Sequence, residues 1–259
     1  MPGHLRITYL IAQMKTKFRL RFMARMANFD ADIELVDILK IAIHRGALSA
    51  GGGQYIFDAV NERQHPRLAA RAATVPNQKR AANHLKATLA ASYLKDIYED
   101  LTDYLVSLLR AAAANGIDSK RLIGEHRVSF EANDILKAGS WDAVIELVSK
   151  AVFRKLESEK STQEILNKMN NKLDLGVRAE TIEAALPYLE LRHLLVHADG
   201  KADAQFCKSY PTIPASAGVK VEITYDLLQA AKESIVKLVV EFDRRAVSKN
   251  VVGADCLQR

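Results

Sequence analysis

NHLKATLAASYLKDIYEDLTDYLVSLLRAAAANG, residues 83–116, decides the fold. Leu85, Leu89, Tyr93, Ile97, Leu101, Leu105 and Leu108 recur every three or four residues, the period that lines apolar side chains along one face of an α-helix. The alanine run at 111–114 favours helix intrinsically, and Asn115-Gly116 stops it, because glycine accepts the left-handed conformation a helix end requires. So long an apolar stripe is stable only when other elements cover it. Tyr93 and Tyr104, both on or beside it, are expected in the core or at a dimer interface.

The rest of the chain supplies the covering helices. Ser140 offers an N-cap to a helix whose inward face is Val144, Leu147, Val148, Ala151 and Val152, with Asp142 suited to the positive helix start. Ser161-Thr162-Gln163-Glu164 matches a capping box ahead of Ile165, Leu166 and Met169, and Gly176 closes that short helix. The next begins near Glu180 and runs through Ile182, Leu186, Leu189, Leu194 and Leu195 to a stop at Gly200. Pro187 lies inside it, so either the helix kinks there or a new one starts at Pro187. Beyond Gly200, residues 203–218 lose periodicity, and Val219–Ile223 alternate as a brief extended piece. Thr224 caps a last helix with Leu227, Leu228, Ala231, Ile235, Leu238, Val239 and Phe242 on one face. Four principal helices with short or medium connections make a bundle.

Upstream the pattern differs. A basic start leads to a helical stretch over about 30–44, including Ile33, Val36 and Lys40, and then to the break AGGGQ at 50–54. A second small helix is expected over about 55–64, and Pro66 and Pro76 punctuate an Ala-rich, basic stretch read as a linker or loosely packed segment. The fold expected is therefore all-α: a four-helix-bundle core over 81–250, an additional helical N-terminal segment over 1–80 and a tail over 251–259.

Composition agrees with that class. Of 259 residues 49% are apolar, enough for a sizeable core, while 12 Gly and 6 Pro are few. Lys and Arg number 37 against 31 Asp and Glu, a net charge of +6, which makes polyanions plausible partners. The basic residues concentrate at Arg6, Lys15, Lys17, Arg19, Arg21 and Arg25, and again over 63–86. Cys207 and Cys256 form neither a disulfide framework nor a Cys-x-x-Cys site, which fits a reducing, cytoplasmic setting. The apolar run LRITYLIAQM at 5–14 is interrupted by Arg6 and is too short for a span, so no membrane association is expected. The triple glycine lacks the following Gly-Lys-Ser/Thr of a phosphate-binding loop and reads as a surface turn.

Chemistry concentrates in LRHLLVHADG, residues 191–200. His193 and His197, at i and i+4, share a helix face. Arg192 and His197 are separated by about 7.5 Å of rise and about 140° of rotation, so a site using both needs a cleft at the helix edge or a second chain. His193-x-x-x-His197 also has the spacing of two helical zinc ligands, but no glutamate follows His193, and Asp199 and Asp203 are the nearest candidates for a third ligand; no metal and no cofactor are expected. The plain structural readings are a surface ion pair for Arg192, a solvated residue for His193, and favourable placement of a histidine at a helix C-terminus for His197. The other histidines, His4, His44, His65, His84 and His126, are scattered.

The segment Arg192-His193-Leu194-Leu195-Val196-His197, late in a four-helix bundle and trailed by Gly200 and Phe206, resembles the signature of the HEPN superfamily (higher eukaryotes and prokaryotes nucleotide-binding). With the proline-containing loop, the short extended piece and the final amphipathic helix, residues 85–248 are similar to stand-alone bacterial HEPN domains of defence and toxin systems. The resemblance implies a metal-independent endoribonuclease, working as a toxin or abortive-infection effector in antiphage (antiviral) defence, with a composite active site between the two copies of a homodimer. An antitoxin or sensor protein is the kind of partner it implies. The residue after the arginine is usually asparagine in that family, sometimes aspartate or histidine; here it is His193.

These residue types suit such a reaction. RNA is cut without metal when its 2′-hydroxyl attacks the adjacent phosphorus, which needs a base, an acid and a cation for the phosphoryl oxygens. A histidine serves as base or acid near neutrality, and arginine offers a permanent charge with donors matched to phosphate. On this reading His197 is the base or acid, Arg192 the phosphate clamp, His193 a positioning group, and Lys201 a contact to the RNA backbone. The competing reading is a non-catalytic helical module that binds or scaffolds a protein or nucleic acid.

Overall fold

The computed structural model describes residues 14–45, 60–72, 74–124, 128–158 and 161–258. Its helices are α1 (Lys17–His44), α2 (Pro66–Ala72), α3 (Val75–Ala114), α4 (Ser119–Ile123), α5 (Ala132–Ala138), α6 (Trp141–Glu157), α7 (Thr162–Lys172), α8 (Ala179–His197), α9 (Ala204–Ser209) and α10 (Tyr225–Ser248). Two short antiparallel strands, β1 (Lys15–Thr16) and β2 (Leu257–Gln258), are the sheet structure among the described residues. The fold is all-α.

The 40-residue α3 is the hub: α1, α6, α8 and α10 all pack on it. Tyr93, Ile97, Leu101, Tyr104, Leu105 and Leu108 are buried along its stripe, each large apolar side chain contributing about 1.5–3 kcal/mol relative to exposure. Leu85, first of that stripe, remains 50% exposed, because α3 projects past the main core at this end. Opposite it lie Val152, Phe153 and Leu156 of α6, Ile182 and Leu189 of α8, and Ile235, Val239 and Phe242 of α10.

Two of the three expected capping signals are realised. Ser140 accepts a hydrogen bond from the Ala143 amide, and Thr224 from the Leu227 amide, so α6 and α10 start where their N-caps stand. Ser161 precedes α7, but its side chain makes no capping bond. The inward face of α6 is shallower than its sequence implies: Val152 is buried, whereas Val144, Leu147, Val148 and Ala151 are half-buried.

Several expectations are corrected. α1 begins at Lys17 rather than near Asp30, since Thr16 caps it by accepting from the Arg19 amide, and Phe22, Met26 and Ile33 enter the same core as α3. The stretch read as a linker is helical. Pro66 is the first residue of α2 and Pro76 lies in the first turn of α3, which starts at Val75, not Asn83. A proline there forfeits nothing, because the first amides of a helix have no intrahelical acceptor. Of the helix expected over about 55–64, residues 55–59 lie outside the described residues, as do the AGGGQ break and Arg6; Asn61–Gln64 form a turn in which Asn61 Oδ1 accepts from the amides of Arg63 and Gln64. Between α3 and α6 the chain forms α4 and α5, with 125–127 outside the description. α8 is one continuous helix through a buried Pro187. The aperiodic stretch after Gly200 contains α9, capped by Asp203.

The tail and the start of the described chain meet. β2 pairs with β1, and beside them lies a fully buried carboxylate, Asp243. The Thr16 amide and hydroxyl donate to it, the Tyr104 hydroxyl donates at 3.5 Å, and Arg19 Nη1 lies 3.8 Å away. Arg25 pairs with Asp100 and, at 3.1 Å, with Asp103. Two arginines of the basic leader are thus paired with carboxylates of the same chain, Arg19 half-buried and Arg25 at the surface. Among the described residues no helix is long and apolar enough to cross a membrane, and both cysteines are free thiols.

Candidate functional site

The C-terminal turn of α8 positions the residues singled out by sequence. Leu189, Leu191 and Leu194 are buried and fix the rotation of the helix. Arg192, one turn after Leu189, falls at the edge of the buried face and is half-buried; His193, Val196 and His197 fall on the solvent side and are exposed.

The two histidines come together. Their ring centroids are 4.6 Å apart with a 48° interplanar angle, the i,i+4 contact expected of their spacing. Arg192 is directed elsewhere. Its guanidinium lies over the Tyr98 ring of α3, 4.6 Å from the centroid, and its Nε is buried without a hydrogen-bond partner among the described residues. Burial pushes the Tyr98 hydroxyl up from its ordinary pKa, while the nearby Arg192 charge and a hydrogen bond with Thr162 pull the other way. Within one chain, then, the arginine and the histidine pair occupy different sides of the helix, as their 140° separation requires.

The helix end is closed by backbone geometry. Asp199 and Gly200 both adopt positive φ, 52° and 75°, and the Gly200 amide donates to the Leu194 carbonyl at 2.9 Å. The turn then pairs with the extended piece: Val221 donates to the Gly200 carbonyl, Ala202 to the Val219 carbonyl, and Lys201 sits opposite Lys220 in a single antiparallel bridge. Lys201 is exposed just past the histidines. The Lys220 ammonium, 2.7 Å from Asp199, holds that carboxyl below its ordinary value, with Lys201 adding to the same effect. Neither Asp199, paired with Lys220, nor Asp203, whose carboxylate caps α9 by accepting from Phe206, joins the histidines in a metal-binding cluster; no group of three or more His, Cys, Asp and Glu suited to a metal ion occurs among the described residues.

Sequence reasoning did not find Tyr98. It stands next to Ile97 of the α3 stripe, and an aromatic beside such a stripe is as consistent with packing as with holding a cation; only the approach of α8 selects it. No family model, no curated protein and no solved structure matches this chain.

Proposed function

We propose that the protein is a metal-independent endoribonuclease of the HEPN type, a toxin or abortive-infection effector of antiphage defence that acts in the cytoplasm as a homodimer. The observation that carries the reading is the exposed pair of imidazoles in tilted contact, His193 and His197, on the same end of α8 as the Arg192 guanidinium. A solvent-facing histidine pair has access to an RNA phosphodiester that a core histidine lacks. His197 takes the proton of the 2′-hydroxyl or gives one to the departing 5′-oxygen, His193 orients it, and Lys201 contacts the RNA backbone. Arg192 stabilises charge on the phosphoryl oxygens. Because Arg192 and His197 diverge within one chain, a second copy that brings its own pair into the same cleft completes the site. The products are a 2′,3′-cyclic phosphate and a 5′-hydroxyl, and DNA, lacking the nucleophile, is not cut. An antitoxin or sensor protein is the partner such an effector requires.

One observation favours the non-catalytic reading. The Arg192 guanidinium is already engaged on Tyr98, which is what a purely structural arginine does. The deciding experiment incubates wild type, Arg192→Ala and His197→Ala with RNA in EDTA and examines the fragment ends. Cutting by wild type alone, leaving cyclic phosphates, supports the enzyme; equal cutting by the variants removes these residues from the mechanism, and no cutting by any preparation supports the binding module.

A further inference from the structure

Near this helix end lies an open groove of about 940 Å³ between α1, α3, the end of α8 and the extended piece before α10. Four lysines line it, Lys40, Lys86, Lys95 and Lys220, against two carboxylates, Asp199 and Glu222, among the described residues. Lys86 is paired with Asp37, and Lys220 with Asp199. Lys40 and Lys95 have no carboxylate partner among the described residues and are left to face the groove's contents. Its polar lining includes His84, through which it adjoins a second hollow of about 440 Å³ that contains Arg80. Arg80 and Lys95 are fifteen residues apart on α3, so the cationic track is about 22 Å long.

The groove also holds an aromatic platform. Tyr225, the first residue of α10, lines it and is 37% exposed. Its neighbours Leu195, Val221 and Ile223 are apolar. A recess that combines unpaired cations at intervals with an exposed aromatic ring matches single-stranded nucleic acid, which offers phosphates at regular spacing and a π-face on every base. A duplex is a convex cylinder whose bases are stacked inside, and it neither enters such a recess nor uses the ring. An acidic peptide would satisfy the lysines but gives Tyr225 no role.

We infer that this groove binds single-stranded RNA, with phosphates on Lys40 and Lys95 and a base stacked on Tyr225. The inference rests on the ribonuclease reading and deepens it by naming the surface that holds the substrate. The strand leaves the groove at the Asp199–Gly200 turn, next to Lys201 and the histidines. It also refines the electrostatics: of the basic stretch over 63–86, Arg80 borders the track while Lys86 is paired with Asp37, and in the leader Arg19 and Arg25 are paired with Asp243, Asp100 and Asp103.

The test uses the full chain and a fluorescent single-stranded RNA twelve-mer, 2′-O-methylated so that it cannot be cut, with anisotropy measured over a series of salt concentrations. Lys40→Glu/Lys95→Glu is expected to weaken binding at least tenfold and to flatten the log–log salt slope by about 1.4, the value for two lost single-strand phosphate contacts. Tyr225→Ala is expected to weaken binding about fivefold or more with the slope unchanged, since stacking releases no counterions. Lys17→Glu/Arg21→Glu makes the same charge change on exposed residues of α1 outside the groove and is expected to leave affinity within twofold. All the substituted side chains are at least partly exposed, and circular dichroism confirms that each variant is folded. Binding unaffected by the groove pair, an equal loss in the α1 pair, preference for duplex over single strand, or no binding of any oligonucleotide overturns the inference. Failure of the catalytic reading is read separately. If His197→Ala cuts RNA like wild type while the groove pair loses affinity, the groove stands and the catalytic assignment falls; if His197→Ala is inactive while the groove pair binds normally, the reverse holds.

Discussion

The guanidinium of Arg192 rests on the ring of Tyr98, 4.6 Å from its centroid, and so ties the end of α8 to the middle of α3. A cation over an aromatic face contributes about 0.5–2 kcal/mol, more as water is excluded. A double-mutant cycle with Tyr98→Leu and Arg192→Met, followed by urea unfolding, is expected to give a coupling of about 1 kcal/mol. The same variants separate structure from chemistry. If the ring holds the guanidinium ready for phosphate, Tyr98→Leu lowers RNA cleavage about tenfold at temperatures where the protein remains folded; if Arg192 is structural only, stability changes and turnover per folded molecule does not.

Asp243 is the second anchor, and its pH dependence has a definite sign. Burial pushes its carboxyl above the ordinary value, against the opposing pull of the Thr16 donors, Arg19 and Tyr104. A folded-state value above the unfolded one of about 3.9 means the folded chain keeps its proton to higher pH. The contribution to stability is therefore full below the unfolded value and is lost as pH rises through the folded value. Asp243→Asn abolishes this titration, so wild type is expected to gain on the variant as pH falls from 7 to 4 in urea titrations. Parallel curves would mean that the carboxyl titrates as it does in the unfolded chain. Asp243→Ala is expected to cost about 3 kcal/mol near pH 7, because it strands the buried donors of Thr16 and Tyr104, and more as pH falls.

That anchor also marks the limit of what the sequence discloses. Helices with an apolar stripe and a local cap were legible: α3 from its leucines, α6 from Ser140, α10 from Thr224. Each of these signals lies within a few residues of the element it specifies. The leader was misread because the partners of Arg19 and Arg25, Asp243 and Asp100, are brought to them from distant positions. The stripe of Phe22, Met26 and Ile33 was present, but its first members lay among basic residues and Ile33 between Asp32 and Glu34. Pro66 and Pro76 were read as breaks when each opens a helix, and a proline's meaning depends on whether it stands in the first turn or further in. At the site, the His193–His197 contact follows from spacing alone, whereas the seat of Arg192 on Tyr98 is a tertiary choice. The groove was invisible for the same reason: Lys40, Lys95 and Tyr225 come from three separate helices.

In the proposed HEPN reading His193 stands where asparagine is usual, and substitution shows what the imidazole adds. An acid–base group contributes about 10²–10⁴-fold to rate, a positioning group less. His193→Asn is expected to retain cleavage within about threefold, since asparagine still offers a donor and an acceptor beside His197, whereas His193→Ala is expected to lose about tenfold. A loss of a hundredfold or more in both would make His193 a proton-transfer partner equal to His197. Single-turnover rates measured over pH 5–9 separate the cases, because removing a proton-transfer group deletes one limb of the profile and removing a positioning group leaves its shape unchanged.

Gly200 closes the helix that carries the site. Its φ of 75° is one that side chains rarely adopt, and a Cβ there would lie 3.4 Å from Leu195 Cδ2, an ordinary contact, so the cost of Gly200→Ala comes from the backbone. About 1 kcal/mol of destabilisation is expected. Gly116→Ala serves as a matched control: its φ is 86°, with nothing within 4 Å of the added carbon, at the far end of α3. Both substitutions are expected to lower the urea midpoint by similar amounts. They should differ in function, because the Gly200 carbonyl accepts from Val221 and its strain loosens the pairing of residues 200–202 with 219–221, on which the groove wall and the seat of Lys201 depend. RNA affinity reduced in Gly200→Ala and unchanged in Gly116→Ala would tie the helix end to the nucleic-acid site; equal affinities would show that this closure stabilises the fold without shaping the surface.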